Sequence, residues 1–399
     1  MPPDAALRER SVLLILLGVQ FTHLMDFMVL MPLGPQFMRI WDISPAQFAI
    51  LVSAYTLSAA VASVLCGFYV DRFDRRRALL LIYGGFAAST LLCAAAPDFG
   101  WLLAARTVTG AFGGIAGAAV YSIVGDVVPD ARRGTAMGIV MTAFPISAVA
   151  GVPLGLTLAN IFDWRAPFVF LAAVSLAVLV LATWLLPRMD AHVAQARSRH
   201  PMRQAIAVFS DANHLRALTL TAVMIFGGFS VIPFIAPYMV ANVGLAETDL
   251  PLLYLFGGAA TVYTSRLWGR MSDRHGKYRM FTIISSISVV PLLLTTNLPA
   301  APVWVAIGTM VLFMVFVSGR FVPAMAIVTG ASQPALRGAF MSFNSAIQQL
   351  GSSAASLSSG FIIGHTASGQ LTGYWISGLI AVGCTFTAIW LARNIRIIN

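Results

Sequence analysis

Charge is what this sequence lacks most. Only 10% of its 399 residues are Asp, Glu, Lys or Arg, against 58% hydrophobic, and a chain so poor in charge cannot solvate the surface of a soluble globular protein. Its three cysteines, Cys66, Cys93 and Cys384, are odd in number and all fall in apolar runs. That argues against a disulfide framework and for three core thiols. Also missing are H-E-x-x-H, G-x-x-x-x-G-K-[ST] and any Cys/His cluster with metal spacing. Neither zinc-dependent hydrolysis nor a P-loop nucleotide site is legible. The expectation is a protein that is no enzyme, needs no metal or organic cofactor, and draws on an ion gradient for any active transport.

What the sequence does hold is long apolar runs. A bilayer core about 30 Å thick needs roughly 20 apolar residues per helix. About twelve such runs begin near Ser11, Pro45, Ala78, Trp101, Gly134, Ala166, Ala217, Leu250, Tyr278, Val303, Gly338 and Tyr374. Their length argues for helices, since a barrel strand would be about ten residues of alternating polarity. The first run is too long for a signal-peptide core, and "MPLGPQFM" after it is no small-residue cleavage site, so it reads as a retained helix.

The formal charge of +10 is placed loop by loop rather than as a patch. Arg8 and Arg10 precede the first span, Arg72, Arg75, Arg76 and Arg77 follow the second, and Arg132 and Arg133 follow the fourth. The same side continues through Arg188 to Arg216, Arg270 to Arg279, Arg337, Arg393 and Arg396, while the opposite loops hold only Arg39 and Arg165. This is the positive-inside asymmetry, and it predicts that both termini and the central loop are cytoplasmic. It also argues against nucleic acid as a partner.

An internal repeat divides the chain. "GFYVDRFDRRR" (Gly67 to Arg77) after the second span is matched by "GRMSDRHGKYR" (Gly269 to Arg279) after the eighth, pairing Gly67 with Gly269, Asp71 with Asp273, Arg72 with Arg274 and Arg75 with Lys277. "ARRG" at Ala131 is echoed by "ALRG" at Ala335. The division expected is a six-helix bundle over 1–187, a cytoplasmic linker over 188–216 and a second six-helix bundle over 217–399. Parallel repeats of this kind place a substrate site near the midplane between the halves. In the linker, Met202, Ile206 and Phe209 recur at helical spacing, which suits either a short helix on the inner leaflet or a disordered tether.

These residues carry a family resemblance. The loop motif, its copy, and "RTVTGAFGG" in the fourth span resemble the major facilitator superfamily across the whole chain. The acidic first span followed by "MPLGPQ" is similar to that family's twelve-span drug/proton antiporters and arabinose-efflux-like exporters. The resemblance implies that Asp71 and Asp273 act with their neighbouring basic residues as a gating latch, each approaching a helix start in the other half. A carboxylate there is stabilised by the helix dipole. Asp126, at the inner end of the fourth span, is placed to pair with Arg72 or Arg75; the plainer alternative is that these arginines only fix topology. One departure stands out: Asp74 occupies the place where the family usually has Gly, which Gly276 keeps. In the fifth span "AVAGVPLG", with Gly151, Pro153 and Gly155, resembles the family's antiporter motif, but Val152 intervenes and the second Gly of a pair is missing. Proline there would still bend or loosen the helix.

Asp26 is the one acidic residue of fifteen that falls deep in a span. At 1.5 Å per residue from Ser11 it lies about 22 Å from the cytoplasmic end of its helix, and Arg106 lies roughly 28 Å from that side. Their depths differ by about the reach of an arginine side chain, so a pair is allowed. Desolvation favours the protonated carboxyl and a nearby arginine the ionised one, so moving Arg106 would switch the proton. The alternative is a static ion pair between the first and fourth spans. His23, three residues before Asp26, is either a proton relay or a hydrogen-bonded core histidine. Gly110, Gly113, Gly114 and Gly117 form two interlocked G-x-x-x-G pairs that permit close helix approach.

Candidate cavity residues are Tyr55 in the second span, Phe226, Phe229 and Tyr254 in the seventh and eighth, Arg320 in the tenth, and Asn344 and Gln348 in the eleventh. For the aromatics, packing is the competing role. For Asn344 and Gln348, it is interhelical hydrogen bonding. The expected protein is an all-α transporter of the bacterial inner membrane, working as a monomer, that exchanges protons for small amphipathic compounds, neutral or cationic by preference. An importer or uniporter on the same fold is the first alternative. A non-transporting sensor or lipid-binding protein is the second.

Overall fold

The computed structural model describes residues 3–67, 74–186, 201–333 and 336–398. Among them, twelve helical spans occur in the order expected. The first six are Pro3–Val29, Pro45–Gly67, Arg75–Ala94, Phe99–Val127, Asp130–Met141 continued by Val152–Ile161, and Ala166–Leu185. The last six are Ala212–Phe229 continued by Ile235–Ala241, Leu250–His275, Lys277–Asn297, Val303–Phe313 continued by Phe321–Gly330, Arg337–Ile362 and Tyr374–Arg393. Ten of these are long and apolar enough to cross a membrane. The eighth and eleventh, each 26 residues long, are the more polar ones, the eighth through its basic end and the eleventh through seven serines. In a bilayer every backbone group must be bonded internally, which is why the runs close into helices.

Acidic residues outside the spans start the helices. Asp74 Oδ1 accepts the Arg76 amide at 2.9 Å, Asp98 Oδ1 that of Trp101 at 2.8 Å, and Asp211 Oδ1 that of Asn213 at 2.7 Å. Each satisfies an N–H that the helix leaves unpaired and sets a negative charge at its positive end. The Asp74 departure is explained: it is the N-cap of the third span. Its counterpart Gly276 instead ends the eighth span with φ at 92°, a conformation that suits glycine.

Two spans are interrupted by π-helical turns, Ser147–Gly151 in the fifth and Met314–Ser318 in the tenth. Each precedes a proline, Pro153 or Pro323. A proline has no N–H to give the turn before it, so these are the places where the ladder loosens.

The chain forms two compact units: residues 1–29 with 54–200, and residues 30–53 with 201–399. This differs from the sequence division in that the segment 30–53 packs with the second half. Its contacts there are close. A Cβ on Gly34 would fall 2.7 Å from Phe48 and 2.9 Å from Pro237, and Phe48 meets Phe234 edge-on at 5.8 Å. Ser53 Oγ donates to the Ser353 carbonyl at 3.1 Å while Ser353 Oγ donates to that of Ser53 at 3.3 Å. Arg39 is paired with Glu247.

Within the first unit the first, third, fourth and sixth spans share a core that includes Leu16, Val19, Phe86, Val120 and Ala182. In the second unit Leu220, Met224, Phe281 and Phe340 hold the seventh, ninth and eleventh spans together. The seventh span begins at Ala212, inside the expected linker, and is preceded by a helix at Pro201–Ser210. That helix packs Phe209 edge-on against Phe343 at 4.9 Å. The helical alternative thus holds for 201–210, and residues 188–200 of the linker lie outside the described ones.

Candidate functional site

The site is built on the first span, where Gln20, His23 and Asp26 recur every three residues and share one helix face. All three side chains are buried. Asp26 Oδ2 accepts a hydrogen bond from Arg106 Nη1 at 2.6 Å, and neither side chain has any exposure. Arg106 Nη2 also reaches the Asp26 backbone carbonyl at 3.4 Å. Among the described residues, Asp26 Oδ1 and Arg106 Nε have no hydrogen-bond partner. The pair is therefore half satisfied: one carboxylate oxygen is committed to the guanidinium and the other is open.

Tyr55 joins the charged pair to the histidine. Its ring lies under the guanidinium, 4.4 Å from Arg106 Cζ to the centroid, and its hydroxyl is 2.8 Å from His23 Nδ1. Phe168 stands on the guanidinium as well, at 5.9 Å. A cation over aromatic faces in a desolvated site is worth about 2 kcal/mol or more. Tyr55, expected in a substrate cavity, is thus fully buried as a packing and hydrogen-bonding partner of the pair. His23 bonds to Tyr55, and Asp26 to Arg106.

The glycines of the fourth span divide the work between two faces. A Cβ on Gly110 would lie 2.3 Å from the Tyr55 carbonyl and one on Gly114 2.6 Å from that of Ala59, so these two let the second span approach. A Cβ on Gly113 would meet the Tyr55 hydroxyl at 2.5 Å and His23 Nδ1 at 2.8 Å, and one on Gly117 would lie 3.2 Å from His23 Nε2. These leave room for the imidazole. In the fifth span, Gly151 and Gly155 fit against Met25 and Val29, on either side of Asp26, and Ser147 Oγ donates to the Phe21 carbonyl. Pro153 stands in the first turn after the π-helical segment. The bend motif thus seats the fifth span against the helix that carries the carboxylate.

At the other end of this unit Arg75 Nε donates to Asp126 Oδ2 at 2.9 Å, and Arg132 pairs with Glu9 at 2.8 Å. Gly67 closes the second span, and Asp71 and Arg72 lie outside the described residues. In the second unit Gly269, Asp273 and Arg274 occupy the last turns of the eighth span, with Asp273 and Arg274 exposed, and Lys277 opens the ninth.

The remaining cavity candidates are spread out. Asn344 is fully buried and accepts from Thr221 Oγ1 at 2.7 Å, an interhelical bond between the eleventh and seventh spans. Gln348, Phe226, Phe229 and Tyr254 are half-buried. Arg320 is 2% exposed and lines a narrow crevice with Met224, Phe281, Ser285, Cys384 and Thr385, a lining that includes none of those five. Sequence reasoning passed over Gln20, whose Nε2 donates to the Tyr121 hydroxyl at 3.4 Å, and Thr22, 2.8 Å from the Tyr83 hydroxyl. The three-residue polar spacing along the first span was the available signal for Gln20.

Comparison with known proteins agrees with this architecture. The family description "Major Facilitator Superfamily" matches residues 16–217 and 217–396. An uncharacterized MFS-type transporter of Bacillus subtilis (strain 168), YtbD, is 26% identical over 364 residues, covering 88% of this chain and 87% of that protein. A chloramphenicol resistance protein of Streptomyces lividans is 27% identical over 339 residues, 83% of each. Among solved structures, a bacterial homolog of the human lysosomal transporter Spinster, inward-facing and unoccupied, superposes with a TM-score of 0.77 at 15% identity, covering 99% of this chain and 98% of that one. A D-xylose-proton symporter gives 0.74 at 16%, covering 95% and 96%. Its apolar helices make the protein integral to the membrane, its relatives are transporters rather than enzymes, and the chain belongs to the Major Facilitator Superfamily.

Proposed function

We propose that the protein is a secondary active transporter that exports small amphipathic compounds in exchange for protons by alternating access. The observation that carries this reading is the open Oδ1 of Asp26 beside a fully buried Arg106. A carboxylate with one oxygen held and one free can take a proton without first breaking its ion pair, and buried charges inside a membrane protein mark ion pathways. In the cycle, protonation of Asp26 from outside releases cargo, and cargo arriving from the cytoplasm displaces the proton. A membrane potential of 100 mV supplies about 2.3 kcal/mol per proton, enough for a roughly fifty-fold gradient of a neutral cargo. The chloramphenicol resistance relative supports export of drug-like compounds. Both termini cytoplasmic, a bacterial inner-membrane location and a monomeric working unit belong to the same proposal.

A second reading, an importer or uniporter on this fold, is favoured by Val152, which separates Gly151 from Pro153 and breaks the antiporter pattern. Proteoliposomes of wild type and Asp26→Asn, loaded with a pH-sensitive dye, discriminate the two. Proton movement evoked by lipophilic compounds in wild type and absent in the variant is the expected result. Equal cargo movement in both, without proton flux, would sink the antiport reading. No cargo movement in either, with intact folding, would leave a sensor or lipid-binding protein.

A further inference from the structure

The two units treat their buried arginines differently. Arg106 faces Asp26, whereas Arg320, equally enclosed, has no carboxylate within ion-pair distance among the described residues. None can come from its own unit's spans: the acids there are Asp42, Asp211, Glu247, Asp249 and Asp273, each at a helix end. A guanidinium is charged at any pH the protein meets, so this cation is permanent.

Its hydrogen bonding is lopsided as well. Nη1 donates to Thr385 Oγ1 at 2.7 Å and to Ser288 Oγ at 3.5 Å. The Nε and Nη2 edge makes no hydrogen bond among the described residues, and Nε is a buried donor with no partner. Ser285 Oγ, also buried without a partner, lines the same crevice. The rest of the wall includes Val223, Met224, Phe281 and Ala388, which are apolar. The crevice is too narrow as it stands for a water molecule, so a ligand enters only as the helices part. The π-helical turn Met314–Ser318 ends two residues before Arg320. One extra residue in a turn rotates the remainder of the helix by about 100°, and it marks where the tenth span yields.

We propose that Arg320 and Ser285 form a binding site for an amphipathic monoanion: a compound whose carboxylate meets the Nε/Nη2 edge in a two-pronged hydrogen bond and whose apolar body lies against Phe281 and Met224. A carboxylate supplies both acceptors that this edge lacks, with a geometry that a lone halide cannot match. The expectation of neutral or cationic cargo came from the paired charge of Asp26 and Arg106; a fixed cation with no counter-ion among the described residues reverses it for this unit. The inference names the cargo class of the proposed exporter and rests on that reading only in calling the ligand cargo. Binding is therefore tested apart from flux.

The test is thermal unfolding of the full chain in lipid nanodiscs, in chloride-free buffer at one pH, titrated with benzoate, benzamide or benzyltrimethylammonium. Wild type is expected to be protected by benzoate at concentrations roughly tenfold or more below those of benzamide, and not by the cation. Arg320→Gln should abolish the preference. Arg320→Lys, which keeps the charge and loses the fork, should keep it at weaker affinity, and serves if the glutamine variant fails to fold. Proton flux is read separately, in proteoliposomes of wild type and Asp26→Asn, so failure of the antiport reading and failure of the anion site are told apart. Equal protection by benzoate and benzamide in wild type, an unchanged preference in Arg320→Gln, or full protection by sodium chloride alone would overturn the proposal.

Discussion

Tyr55 does two jobs with two parts of one side chain. Its ring supports the guanidinium of Arg106 and its hydroxyl is the hydrogen-bond partner of His23 Nδ1. Tyr55→Phe keeps the ring and leaves a buried imidazole nitrogen unpartnered, at a cost of about 1–3 kcal/mol. Tyr55→Ala also removes the cation–π contact and opens a cavity, for which about 3–5 kcal/mol is the range seen with large aromatic truncations. Denaturant unfolding in detergent should rank wild type above Phe above Ala. Equal losses in the two variants would mean that the ring contributes nothing beside Arg106. Asp26 could be singled out from the sequence because it is the only deep carboxylate. Tyr55 could not, because an aromatic residue in an apolar run has no signature that separates a hydrogen-bonded partner from filler.

At the scale of helices, the glycines decide how near the spans come to the charged pair. Gly114 would place a Cβ 2.6 Å from the Ala59 carbonyl, and backbone cannot move aside as a side-chain tip can. Gly114→Ala is therefore expected to lower stability by about 1–3 kcal/mol, the range for overpacking. Gly138→Ala, with nothing within 4 Å of the added carbon, should be neutral or stabilising by up to about 1 kcal/mol through helix propensity. Unfolding temperatures of the two variants check the contrast, which fails if both move alike. The G-x-x-x-G spacing was legible as a close-approach signal. Its division into a face for the second span and a face for His23 was not, because spacing gives the stripe and only packing gives the neighbour.

Across the whole molecule, the segment 30–53 packs with the second half although it belongs by sequence to the first. Ser53 and Ser353 each donate to the other's carbonyl, so their side chains lie together. Alternating access requires such contacts to open and close. A Ser53→Cys/Ser353→Cys protein, made without Cys66, Cys93 and Cys384, should lose cargo flux on oxidation and recover it on reduction. Flux unaffected by a formed disulfide would show that these helices stay together throughout the cycle.

The sequence by itself determined the class and the plan. Hydropathy and run length require helices in a bilayer, and the copied loop motif requires two halves. The single deep carboxylate marks Asp26. Each of these is a local property, fixed by the rise of a helix and the cost of charge in hydrocarbon. Tertiary structure alone decided the partners. Asp26 meets Arg106 eighty positions away, Tyr55 lies beneath the pair, Asp74 turns from a motif departure into a helix cap, and Arg320 has no counter-ion among the described residues. Depth along a helix can be counted from sequence, but the direction a side chain faces and what stands opposite depend on how distant helices pack.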